Sequence, residues 1–153
     1  MARPKSEDKR KAIMDAATRV IGAHGLSAPT ATIAQAAGIS NGSLFTYFET
    51  KADLFNQLYL ELKAGMAAAA LEAFPAGDDL RKQVFQVWSN WMDWATSNPE
   101  KRRALAQLGV SDQITPATRA AVHKTMAGLA ELMERMRANG PLRKVPWVLS
   151  PRS

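Results

Sequence analysis

Residues 30–54, TATIAQAAGISNGSLFTYFETKADL, hold three side-chain oxygens placed to start a helix: Thr30, Ser40 and Thr50. Thr30 is positioned to cap a short helix over 31–37 with Ile33, Ala36 and Ala37 facing inward. Gly38 follows at once, where a residue of positive φ is expected. Ser40 then caps a second short helix over 41–47, with Leu44 and Phe48 turned back to a core. Two short helices joined by a tight, Gly-containing turn form the helix-turn-helix layout. Ala36, Ala37 and Gly42 are small enough for the helices to cross closely there. Thr50-Lys51-Ala52-Asp53 resembles a capping box, with Asp in the usual place of Glu or Gln, and opens a long helix to about Phe74.

Outward from this stretch the pattern stays helical. Upstream, residues 6–23 make one helix, with Glu7 and Asp8 in its first turn and Gly25 beyond its end. Its Ile13, Ala16, Ala17, Val20 and Ile21 share a face. Downstream, Leu54, Leu58, Leu62 and Met66 mark one side of the long helix, and Phe55 and Tyr59 the adjoining side. Pro75-Ala76-Gly77-Asp78 breaks it. Helices are predicted over 79–97, from Pro99 to about Leu108, and over 115–138, the last stopped by Asn139-Gly140-Pro141. No strand pattern persists. The expected class is all-α, with an N-terminal three-helix helix-turn-helix unit over 1–50, further helices over 51–139 and an irregular basic tail over 140–153.

Composition narrows the function classes. Of the 153 residues 46% are hydrophobic, enough to bury a core, and there is no cysteine, which excludes disulfides, thiolate metal sites and a cysteine nucleophile. The two histidines, His24 and His123, fall on separate helices without an acidic partner at suggestive spacing. With no phosphate loop, paired metal-ligand motif or nucleophile elbow in view, no enzyme, no metal and no cofactor are expected. No 18-residue stretch is free of charges and breakers, so no membrane span and a cytoplasmic location are expected. The net charge of +6 permits nucleic-acid binding without locating it. Residues 1–63 carry eight Lys/Arg against six Asp/Glu, whereas residues 137–153 hold four basic residues and no acid.

The second short helix presents short polar side chains outward. Asn41, Gly42, Ser43 and Thr46 allow close approach to base edges in a major groove, where Asn pairs with adenine and Ser or Thr with several bases. Tyr47 and Lys51 offer a hydroxyl and an ammonium to phosphate oxygens, and the amides opening the next helix offer an anion site. The same features also occur in helical proteins that never meet DNA. The sequence goes further. Residues 33–51, IAQAAGISNGSLFTYFETK, resemble the N-terminal signature of TetR-family regulators at every fixed place, including the following Asp53-Leu54. The resemblance covers about residues 7–65. It implies that the helix-turn-helix head over 1–50 binds DNA, that 51–139 is a helical ligand-binding body that binds an effector and dimerises, and that a nearby promoter is repressed until a small molecule relieves it. It also implies that Thr30, Tyr47 and Lys51 contact the DNA backbone, that Ser40, Asn41, Gly42, Ser43 and Thr46 belong to the DNA-binding face, and that Leu44 and Phe45 pack in the head core.

Beyond residue 75 the reading is again physical. The helix over 79–97 contains Val84, Phe85, Val87, Trp88, Trp91, Met92 and Trp94, which cover more than half its circumference and predict burial on most sides. Val122, Met126, Leu129, Met133 and Met136 form a stripe on the last helix. Phe85, Trp88, Trp91, Met92, His123 and Met126 are the candidate lining of a pocket for a small apolar or aromatic effector; simple core filling is the other reading. The expected partners are double-stranded operator DNA, the effector and a second copy of the chain. TetR-like chains continue with two long helices that form the dimer interface. Here Pro141, Pro146 and Pro151 forbid a normal helix, so a shortened C-terminus and impaired dimerisation are expected; a native short variant that dimerises through its remaining helices is the other reading.

Overall fold

The computed structural model describes residues 5–139, and among these it is helical without strands. The elements are α1 (Lys5–His24), α2 (Thr30–Ala37), α3 (Asn41–Tyr47), α4 (Lys51–Ala70), α5 (Leu80–Ser97), α6 (Pro99–Gly109), α7 (Pro116–Thr125) and α8 (Ala127–Asn139). The all-α expectation holds. The tail over 140–153, with its prolines, lies outside the described residues.

The chain divides into two compact units. One comprises the residues up to Leu62 together with Asn98–Ala121; the other comprises Lys63–Ser97 and the described residues from Val122 on. This differs from a division at residue 50. The cause is packing between distant segments: α6 returns to lie on α1, and the residues of α4 up to Leu62 belong to the same unit as α1.

In the first unit, α1 turns Ile13, Met14, Ala16, Ala17, Val20 and Ile21 inward and packs against α2 and α6. The contact with α6 is close at Gly22, where an added Cβ would stand 3.1 Å from the Glu100 carbonyl oxygen. Gly25, at φ 84°, closes α1 by donating its N–H to Ile21 O at 2.8 Å. Asn56 of α4 reaches the loop after α6, donating to Gln113 O at 2.8 Å and accepting from Thr115 N at 2.9 Å. Arg119 donates to Gly109 O and Ser111 O, both at 3.0 Å, satisfying the last carbonyl of α6 and one in the loop beyond it.

In the second unit, Ala70, Val87 and Leu132 form a buried cluster with Phe74, Leu80 and Leu129 against it. Asn90 donates to Ala70 O at 3.0 Å and Glu72 O at 2.7 Å, satisfying carbonyls at the end of α4. Helix α4 ends at Ala70 rather than near Phe74, and Ala73 adopts φ 53° in the turn that follows. Asp79 lies outside α5 and caps it, its carboxylate accepting from Lys82 N at 2.9 Å. The helix expected over 115–138 is two, α7 and α8, interrupted at Met126. Met126 N still donates to Val122 O and Ala130 N to Met126 O, so the interruption is local. The weak helix formers Thr125 and Gly128 flank it.

Burial of α5 on most sides is not observed. Gln83, Val87 and Trp94 form its buried stripe, whereas Phe85 is 69% exposed, Trp88 57%, Met92 46% and Trp91 43%. Helix α8 and the end of α4 meet one side of α5, and nothing among the described residues covers the other.

Candidate functional site

The geometry of the α2–α3 pair follows from its turn residues. Gly38 takes φ 76°, ψ 27°, donating to Gln35 O at 3.0 Å while Ile39 N donates to Ala34 O at 3.0 Å. These two bonds make a Schellman closure, and the left-handed glycine turns the chain out of α2. Ser40 is extended, and its Oγ accepts from Ser43 N at 3.1 Å, capping α3 as expected. Thr30 does not cap α2. It is the first residue of the helix, Pro29 occupies the cap position, and the Pro29 carbonyl accepts from Thr32 N at 3.0 Å.

Leu44 and Phe48 are fully buried, and with Ile33 they fasten both short helices to the head core. Phe45 is not a core residue. One position past Leu44 it is rotated by about 100° around the helix, and it is exposed. The expected close crossing at small residues is corrected as well: Ala36 and Gly42 are exposed, and Ala34 is the small residue buried beside Ile33.

What α3 turns outward is Asn41, Gly42, Ser43 and Thr46, all exposed, with Tyr47 half-buried at its end. Thr46 donates to Ser43 O at 2.6 Å, which leaves its oxygen able to accept. A Cβ added at Gly42 would meet only Ser40 Oγ, at 3.9 Å, so nothing within the chain demands glycine there.

The start of α4 is more occupied than expected. Thr50 Oγ1 accepts from Asp53 N, and Asp53 Oδ2 accepts from Glu49 N, each at 3.0 Å. Half of the capping box is met, the cap of Thr50 on Asp53 N, while the return bond goes to Glu49 N rather than Thr50 N; these two amides are not free for an anion, and a carboxylate stands among them. Lys51 is half-buried: its Nζ donates to Ala28 O at 2.7 Å and lies 5.6 Å from the centre of the Phe55 ring. It ties α4 to the α1–α2 loop. Two of its three ammonium protons remain for another acceptor. The chemistry this face offers is hydrogen bonding and charge.

Residues 13–58 match the family model described as bacterial regulatory proteins, tetR family. A solved tetR family transcription regulator from Shewanella sp. PV-4 is 31% identical and superposes with a TM-score of 0.75, covering 86% of this chain and 71% of that one. The chain belongs to the TetR family. Among curated TetR-like sequences, the HTH-type transcriptional regulator AcrR of Shigella flexneri is 29% identical over 110 residues, 67% of this chain and 48% of that protein. The chain spans about half the length of the curated relatives it matches. The TetR-like regulator LfrR of Mycobacterium smegmatis, solved in complex with proflavine, shares the fold at 23% identity and a TM-score of 0.68, covering 92% of this chain and 80% of that one.

The second unit of this TetR-family chain contains a cavity of about 210 Å³. Met66 and Ala70 of α4, Val87 and Trp91 of α5, and Met126, Leu129, Ala130 and Met133 line it. Of the six residues singled out for a pocket, Trp91 and Met126 lie in this wall. Phe85, Trp88 and Met92 belong to the exposed side of α5, and His123 is exposed on α7. The periodicity of α5 could not separate its two apolar sides; the stripe Met126–Leu129–Met133 was the signal that did point here. Among the described residues no group of three His, Asp or Glu side chains could hold a metal ion, and no helix is long and apolar enough to cross a membrane.

Proposed function

We propose that this TetR-family chain is a cytoplasmic transcriptional regulator whose α3 enters the major groove of operator DNA. The observation that carries the reading is the outer face of α3, where Asn41, Gly42, Ser43 and Thr46 are exposed while Leu44 and Phe48 anchor the helix behind them. Gly42 supports it further, since a glycine with no internal cause suits a helix that a large partner must approach closely. Asn41, Ser43 and Thr46 read base edges; Thr30, Tyr47 and Lys51 meet phosphates; Ser40 holds the first turn of α3 in shape. One seven-residue helix reads few bases. The operator is accordingly a pseudo-palindrome bound by two copies.

The chain acts as a repressor, released by a small apolar or aromatic molecule held in the helical body. The proflavine complex of LfrR and the apolar cavity of the second unit support a small-molecule effector. The transcriptional regulators among its relatives support a role without catalysis. The test is gel-shift titration of the intergenic DNA beside the gene, against random DNA, across a salt series. Tyr47→Phe should weaken both DNAs alike, whereas Asn41→Ala should change the preference between them. If Asn41→Ala scales operator and random DNA equally, Asn41 does not read bases.

A further inference from the structure

We infer that the cavity of the second unit is a receptor for neutral one-ring arenes, and that its size and lining exclude both charged and polycyclic ligands. This rests on the effector reading above and narrows it to one ligand class. Two observations carry it. Among the described residues no polar atom of the wall faces the space; Trp91 presents its ring there and the other lining side chains are aliphatic or thioether. A carboxylate, ammonium or phenolate entering it would shed its hydration with nothing to replace it. The second observation is size. At about 210 Å³ the space is below the range of pockets for drug-sized molecules, about 300–1,000 Å³. It is of the order of the ~150 Å³ apolar cavity known to take up benzene.

The lining also favours a ring over an aliphatic chain. Trp91 offers an aromatic surface for offset or edge-to-face contact, and Met66, Met126 and Met133 place polarisable thioethers around it. Three unbranched methionines can shift to fit a methyl or ethyl substituent without moving a helix. A second ring cannot extend inward, because Ala70 and Val87 are already buried in the core cluster, and on the side of Trp91 and Ala130 it would stand in water without apolar cover.

The test uses the full 153-residue chain and needs no DNA. Toluene, benzoate and naphthalene are titrated by calorimetry, with tryptophan fluorescence recorded in parallel. Toluene should bind saturably and perturb the fluorescence, and Trp91→Phe should remove most of that perturbation while heat of binding persists. Benzoate and naphthalene should bind at least about tenfold more weakly. Ala130→Phe fills the cavity and should abolish toluene binding. Met133→Ala enlarges it and should bring naphthalene up to or above toluene, which keeps the inference testable if Ala130→Phe does not fold. Equal binding of benzoate, or toluene binding unchanged in both variants, overturns the inference. The outcome for operator release is separate. Toluene that binds without releasing operator DNA leaves this receptor standing and counts against the effector reading. A different compound that releases DNA while toluene does not bind overturns the receptor alone.

Discussion

Replacing Lys51 by Met keeps the length and apolar stem of the side chain and removes only the ammonium. Two contacts are lost: the 2.7 Å hydrogen bond to Ala28 O and the cation over the Phe55 ring at 5.6 Å. A hydrogen bond from a charged donor contributes about 1.5–3 kcal/mol and an exposed cation–π pair about 0.5–1 kcal/mol. Lys51 is only half-buried, so the lower end applies. The expected loss is about 2 kcal/mol, or a fall in Tm of roughly 4–8 °C for a chain of this size. Thermal melts followed by far-UV circular dichroism measure it. Because two ammonium protons remain for phosphate, the slope of log affinity against log salt on operator DNA should also fall, by about one. An unchanged Tm would refute the role assigned to the Ala28 bond. An unchanged slope with a lowered Tm would make Lys51 a brace of the head and remove it from the phosphate contacts.

Ser40→Ala removes the cap on Ser43 N and should cost about 1 kcal/mol, with a larger proportional effect on operator binding than on helix content; intact operator affinity would speak against α3 as the reading helix. Gly22→Leu forces a side chain toward the Glu100 carbonyl that already stands 3.1 Å from a Cβ, so urea unfolding should show a loss of about 1–3 kcal/mol despite the better helix propensity of Leu. Asn90→Leu strands the carbonyls of Ala70 and Glu72 and should destabilise by about 1–3 kcal/mol in the same assay, while operator affinity measured on the folded fraction stays near that of the parent.

The head was the most legible part of the sequence. Gly38, Ser40 and Thr50 each have a local chemical task, and a local task can be read from a few neighbours. Thr30 misled because a Thr before an apolar helix looks like a cap, whereas Pro29 already held that position in extended backbone. Phe45 and Ala36 misled for a related reason: in helices of seven and eight residues, one position of phase decides which side chain is buried. Lys51 was legible as a cation but not as a brace, since its partner Ala28 is a backbone carbonyl 23 residues away. The body was legible only as helices. Tryptophan, phenylalanine and methionine surround α5, and composition cannot say which of them the chain itself covers.

The return of α6 to α1 bears on how this molecule can be taken apart. A helix about two thirds of the way along the chain supplies Ala104, Leu105 and Leu108 to the same unit as α2 and α3, and Gly22 admits it at backbone distance. Cutting after residue 50, or even after Leu62, therefore does not excise a finished module. It leaves one wall of α1 facing water, and an expressed fragment of that kind should be sticky or molten however faithful its reading helix. A transplantable head would need α6 grafted back through a new linker, so the natural unit of exchange in this fold is a set of contacts and not a stretch of sequence.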